Sequence, residues 1–161
     1  MRTSNARVKS VIVSVYFTLI VLAIVLATLF SAFSHLTPNP TVTIFVVVFG
    51  FIGLFFIIHR VSKYFEYDSD GVKVVVINKG LLLSDYLNYR EQKLEFDKQR
   101  LISFKFHDYF LYRSLTLYVK SSNGSTKKET FNVTLVGKKK RRYIRQSLSK
   151  MVKNNIKTTN N

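Results

Sequence analysis

Between Lys138 and Lys153 the chain carries eight cations and no acid, and five of the cations, Lys138, Lys139, Lys140, Arg141 and Arg142, are consecutive. The same segment spaces Ile144, Leu148, Met151 and Val152 by four, three and one, which predicts an amphipathic helix whose first turn is the cation run. A helix N-terminus is the positive end of its dipole, so cations there are disfavoured by about 0.3–1 kcal/mol each before screening. Selection for stability alone would put acids in that turn. With Arg145 beside them, these side chains can hold an anion. The anion expected is the inner face of a membrane, where each basic residue near the surface contributes about 1 kcal/mol, or an acidic protein partner. The plainer reading, cations that are solvated and keep a juxtamembrane domain soluble, stays open. Nucleic acid is a rival anion, but no aromatic and basic residues interleave as a base-stacking platform, which argues against specific recognition.

Tyr109-Phe110-Leu111-Tyr112 is a second candidate, placed between two predicted strands where a polar turn is expected. At a loop tip these residues would form an interfacial loop that dips into a bilayer or docks a partner; if the strands run longer, they belong to the core, and the strand pattern favours the core. Catalytic chemistry finds little support. His35, His59 and His107 have no metal-ligand spacing. Asp68 and Asp70 flank a turn-forming Gly71, and there is no phosphate loop, nucleophile elbow or His-Glu-x-x-His. The absence of cysteine excludes thiol nucleophiles, disulfides and zinc-thiolate sites. The expectation is a non-enzymatic protein without cofactor or metal. Asn123-Gly124-Ser125 and Asn132-Val133-Thr134 match the glycosylation sequon by chance if they face the cytoplasm.

The elements that would position these residues fall in two solvents. From Val11 to Ile58 there is no Lys, Arg, Asp or Glu, whereas 22 of the 25 Lys and Arg and all nine acids follow Ile58, a surplus of 13 positive charges. Val11–Phe33 and Thr41–Ile58 are 23 and 18 uncharged, mostly apolar residues. Each can cross a hydrocarbon core of about 30 Å as a helix, the one conformation that satisfies its own backbone in lipid. Residues 34–40, with Pro38 and Pro40, predict a tight turn between antiparallel helices. Arg2, Arg7 and Lys9 flank one end and Arg60 and Lys63 the other, while the turn is uncharged, so both termini are expected in the cytoplasm. A cleaved signal peptide, suggested by Ser31-Ala32-Phe33, is disfavoured because the apolar run is too long and a second span follows. Ala23, Ala27 and Ser31 on the first helix and Gly50 and Gly53 on the second would let backbones approach, either within the hairpin or against a partner.

After the hairpin the periodicity changes to two. Tyr64–Tyr67, a turn at Asp68-Ser69-Asp70-Gly71, Val72–Ile77, a turn at Asn78-Lys79-Gly80, Leu81–Arg90 and Lys93–Phe96 read as successive extended segments. Ile102, Phe104 and Phe106, then Leu115, Leu117 and Val119, alternate as half-buried strands. Asn123-Gly124 predicts a hairpin into Lys128–Leu135, with Phe131, Val133 and Leu135 on one face. The domain boundaries expected are a basic N-terminus over 1–10, a transmembrane hairpin over 11–60 (11–33 and 41–58), a cytoplasmic domain over 61–153 and a disordered tail over 154–161.

Two N-terminal apolar helices followed by Tyr64-Phe65-Glu66-Tyr67-Asp68-Ser69-Asp70-Gly71, Leu94-Glu95-Phe96-Asp97-Lys98 and a basic last helix resemble the membrane-anchored bacterial pleckstrin-homology-like (PH-like) domain families. The resemblance implies an α+β antiparallel barrel of about seven strands closed by a C-terminal amphipathic helix. It also implies a multi-pass location in a bacterial inner membrane. Phosphoinositide-binding members use a basic first hairpin, and Asp68-Ser69-Asp70-Gly71 departs from that pattern. The functional expectation is a membrane-anchored binding or scaffolding module whose last helix contacts anionic lipid. The alternative is a small accessory subunit of a larger membrane complex, bound through its helices.

Overall fold

The computed structural model describes residues 2–32, 39–80 and 91–159 of the 161. It divides into two units, Arg7–Arg60 and Met1–Ala6 with Val61–Asn161.

The first unit holds α1 (Val8–Ala32) and α2 (Pro40–Val61). Within them, Val8–Leu29 and Thr41–Val61 are long and apolar enough to cross a membrane. Most of their large side chains face outward, Phe17, Phe49 and Phe56 among them. Three serine and threonine hydroxyls are satisfied by their own helix: Ser14 donates to the Ser10 carbonyl (3.0 Å), Thr18 to Ser14 (2.9 Å) and Thr28 to Val25 (2.8 Å). Such bonding makes them tolerable in an apolar medium and spends the polarity that could otherwise line a path. Pro40 opens α2 where a missing N–H costs nothing. Apart from Asn39 and Pro40, the expected turn, and His35 with it, lies outside the described residues.

The second unit is built from two antiparallel sheets and a helix. β1 (Arg2–Ser4), β2 (Lys63–Asp68), β3 (Lys73–Gly80) and β4 (Gln92–Asp97) form one sheet in that order. After a 3-10 turn at Lys98–Arg100, β5 (Leu101–Asp108), β6 (Arg113–Lys120) and β7 (Thr126–Asn132) form the other. The period-two positions face one core: Phe65 and Tyr67 from β2, Val74 and Val76 from β3, Leu94 and Phe96 from β4, then Leu115, Leu117 and Phe131 from the second sheet. The last helix, α3 (Lys138–Thr159), lays Ile144 and Leu148 on that core, both fully buried, with Met151 and Val152 partly so. The helical stripe read from sequence is the stripe that packs.

Several expectations are corrected. The described strands do not close into a barrel; they make a four-stranded and a three-stranded sheet. The predicted Asn78-Lys79-Gly80 turn is the end of β3, paired through Asn78 with both Phe65 and Gln92. The strand expected over 81–90 lies outside the described residues. Ile102 is exposed rather than core, because a register shift between Leu101 and Ser103 turns Leu101 inward instead. Val133 is buried, but the chain has left the sheet at Asn132 and turns, with Val136 N–H bonding the Val133 carbonyl, so Leu135 is only half-buried. The tail expected to be disordered from Asn154 is helical through Thr159; the Asn155 amide there donates to the carbonyls of Lys98 and Leu101, both at 2.8 Å.

β1 was absent from the strand expectation, since three polar residues carry no periodic signal. It forms because Arg2, Thr3 and Ser4 pair with Asp68, Tyr67 and Glu66, and Arg2 Nε meets Glu66 Oε1 at 2.7 Å. The two turn signals hold. Asp70 N–H donates to Asp68 Oδ1 at 3.0 Å in the β2–β3 turn, and Gly124 takes a φ of 82° in the β6–β7 turn, where L side chains are strained.

Candidate functional site

α3 begins at Lys138, directly after Gly137, with the Arg141 N–H bonded to the Gly137 carbonyl at 3.0 Å. A helical turn of 3.6 residues puts positions 138, 141, 142 and 145 on one face. That face closes over β5, where Lys138, Arg141, Arg142 and Arg145 line a cavity of about 280 Å³ with Phe106 and Asp108. The Arg145 guanidinium lies over the Phe106 ring, 5.1 Å from its centroid, a cation–π arrangement that orients the charge.

The charges in this cavity do not balance. Among the described residues lining it, Asp108 supplies the one carboxylate, and it is shared: Arg141 Nη1 lies at 3.4 Å and Arg113 Nε at 3.1 Å from the same Oδ1. The Arg141 side chain is only 17% exposed. Burial, then Arg113, lowers its pKa from the ordinary guanidinium value, Arg145 adds to this, and Asp108 opposes them. The arrangement holds like charges together around a concave, partly desolvated space, where an anion of two or more oxygens would relieve them. The buried apolar stripe of α3 supplies the stability that this crowding costs.

Of the six cations singled out in the sequence, four converge here. Lys139 is exposed outside the cavity, and Lys140 turns the other way, its Nζ donating to the Ser4 carbonyl at 2.6 Å. Phe106, Asp108 and Arg113 were missed as site residues, because their part in it depends on β5 and β6 lying beside α3. Lys150 and Lys153 are exposed farther along the helix.

Tyr109–Tyr112 is a loop tip and not core. Asp108 pairs with Arg113, Tyr109 N–H bonds the Tyr112 carbonyl at 2.9 Å, and the chain reverses between them. Phe110 is 97% exposed, with Tyr109 and Leu111 also exposed and Tyr112 half-buried. A four-residue reversal leaves its central side chains no neighbouring strand to pack on, which is why alternation misleads here.

The edge of this unit that carries the tip and the cavity is also the edge from which its chain leaves toward both long helices. Lys140 holds Ser4; Asn5 accepts the Phe65 N–H at 2.9 Å and donates to the Lys63 carbonyl at 2.9 Å. Asn132 Nδ2 reaches the Val61 carbonyl at 3.4 Å, and two residues on, Thr134 Oγ1 accepts the Arg113 N–H at 2.9 Å.

In the helical unit, Ala23 and Ala27 line a shallow groove of about 190 Å³ with Val48 and Phe51. A Cβ added at Gly50 or Gly53 meets nothing within 4 Å, so these glycines are not used by a close approach of α1. Ser31 lies in the last turn of α1, its side chain outside the described set. His59 stacks on Phe55 and His107 on Tyr109, with centroids 6.4 and 6.2 Å apart. Among the described residues no group of three or more His, Asp or Glu could hold a metal ion. Comparisons with protein families, with curated proteins and with solved structures find no match to this chain.

Proposed function

We propose that this protein is a non-catalytic, membrane-anchored binding module that holds or recruits a protein at the cytoplasmic face of a bacterial inner membrane, helped by contact between its last helix and anionic lipid. The observation that carries this reading is the cation-lined cavity at the first turn of α3, where four basic side chains stand beside one carboxylate that bonds Arg141 and Arg113. The two apolar helices supply the anchor, and the basic residues at both of their outer ends favour a cytoplasmic position for the sheet unit. Pairing of Arg2–Ser4 with Glu66–Asp68 supports the same topology, because it keeps the segments before α1 and after α2 on one side of any membrane the helices span. The PH-like and bacterial parts of the reading rest on the resemblance in strand and helix layout.

Purification of the full chain in mild detergent, compared with a variant lacking residues 64–153, tests the module. Loss of all co-purifying partners on deletion is expected. Retention of a stoichiometric membrane partner by the helices alone would favour the second reading, a small accessory subunit. The observation on that side is that Gly50 and Gly53 face open space, which leaves a close-packing surface on α2 unspent.

A further inference from the structure

We infer that the β5–β6 tip and the α3 cavity form one two-part docking surface for an anionic bilayer, in which Tyr109, Phe110 and Leu111 enter the boundary between headgroups and acyl chains while Lys138, Arg141, Arg142 and Arg145 take a lipid phosphate. The inference rests on the reading that α3 contacts an anionic leaflet, and adds to it the apolar wedge, the phosphate seat and their coupling.

Three observations carry it. The tip presents Phe110 at 97% exposure between two other exposed apolar side chains, at a turn where polar residues solvate the backbone more favourably. Tyr109 stacks on His107, but Phe110 at 97% exposure gains almost nothing from the fold; aromatic and aliphatic side chains at such a tip gain free energy on entering a membrane interface. The tip and the cavity are covalently adjacent: Asp108, bonded to Arg141, precedes Tyr109, and Arg113, bonded to the same carboxylate, follows Tyr112. A phosphate in the cavity would therefore sit beside residues at acyl-chain depth, the juxtaposition a phospholipid itself has.

The third observation is where the pair lies. Asn132 is bound to Val61, Asn5 to Lys63 and Thr134 to Arg113, so the tip, with the cavity beside it at Asp108, occupies the edge from which the chain continues into α1 and α2. Those connections are Asn5–Arg7 and Ser62, and at about 3.5 Å per residue they are too short to let this edge stray far from a bilayer that the helices enter. Charge complementarity selects the anionic lipid: the four cations and one carboxylate leave a positive surplus facing the surface that bears the phosphates.

The chain has no cysteine, so a single one can be labelled. Full-length Phe110→Cys, carrying a solvatochromic fluorophore, is reconstituted in nanodiscs with lipids brominated near the headgroup. With phosphatidylglycerol present, quenching at 110 is expected to exceed by several fold that of a Ser122→Cys label in the opposite turn. It should fall toward the Ser122→Cys value in pure phosphatidylcholine and in an Arg141→Gln/Arg145→Gln background. The lipid comparison needs no charge variant, so a misfolded double mutant does not spoil the test. Equal quenching at 110 and 122, or equal quenching of 110 in anionic and neutral discs, overturns the proposal. A label at Lys139→Cys separates the two readings: quenched while 110 is not, it leaves leaflet contact standing and removes the docking surface; with neither quenched, both fall. A label at 110 untouched by lipid in discs but shielded in native membranes points to a protein occupant and also overturns it.

Discussion

Asn78, near the end of β3, bridges the two sheets with its side chain. Its Nδ2 donates to the carbonyls of Tyr64 (2.9 Å) and Asn132 (3.0 Å), and its Oδ1 accepts the Asn132 N–H at 3.3 Å. All of this is buried or partly so, and backbone groups that lose a partner in such a place cost about 1–3 kcal/mol each. Asn78→Ala is therefore expected to lower stability by about 2–4 kcal/mol, measured by unfolding of the full-length protein in detergent. Gln146→Ala, on the exposed face of α3, should stay within about 0.5 kcal/mol. In sequence, Asn78-Lys79-Gly80 looks like turn chemistry, because asparagine's habit of bonding backbone groups is the same in a turn and at a sheet junction. Which backbone it meets is a tertiary fact.

At the scale of elements, β1 is held to β2 by main-chain pairing, to which charge at Glu66 adds. The Glu66 carboxylate accepts the Tyr64 hydroxyl at 2.6 Å and Arg2 Nε at 2.7 Å. The Tyr64 bond, ahead of Arg2, holds its pKa below the ordinary 4.5, with burial working against them. A carboxylate whose folded pKa is depressed contributes stability that is complete above the unfolded value and is lost as pH falls through the folded one. The thermal midpoint of the full-length protein should therefore fall as pH drops below the ordinary glutamate range, with part of that fall absent in Glu66→Gln. Equal acid sensitivity of the two proteins would show that the Glu66 bonds do not anchor β1. The other elements follow from their own residues: α1 and α2 from unbroken apolar runs, α3 from its four-three-one stripe, and the β6–β7 hairpin from Asn123-Gly124. β1, with three polar residues, has no such local cause and forms because β2 offers it an edge.

At the scale of the whole molecule, a cytoplasmic sheet unit requires the link between α1 and α2 to face the opposite side of the membrane. In intact cells, a membrane-impermeant thiol reagent should label Asn39→Cys, at the start of α2, and reach Ser122→Cys only after permeabilisation. The reverse pattern would remove the cytoplasmic assignment and with it any contact with an inner anionic leaflet. The sequence by itself determined the division into two long apolar helices and a charged sheet unit, the cation run opening a helix, the core face of that helix and most of the strands. These follow from composition and periodicity, which act on neighbours in the chain. Only the tertiary structure decided which cations converge, that Tyr109–Tyr112 is an exposed tip, and that both lie at the edge leading to the long helices. The contacts that settle these points join residues 33 apart for Arg141 and Asp108 and 136 apart for Lys140 and Ser4. Pairings at such separations are set by how sheets and helix pack on a shared core, and no local pattern encodes them.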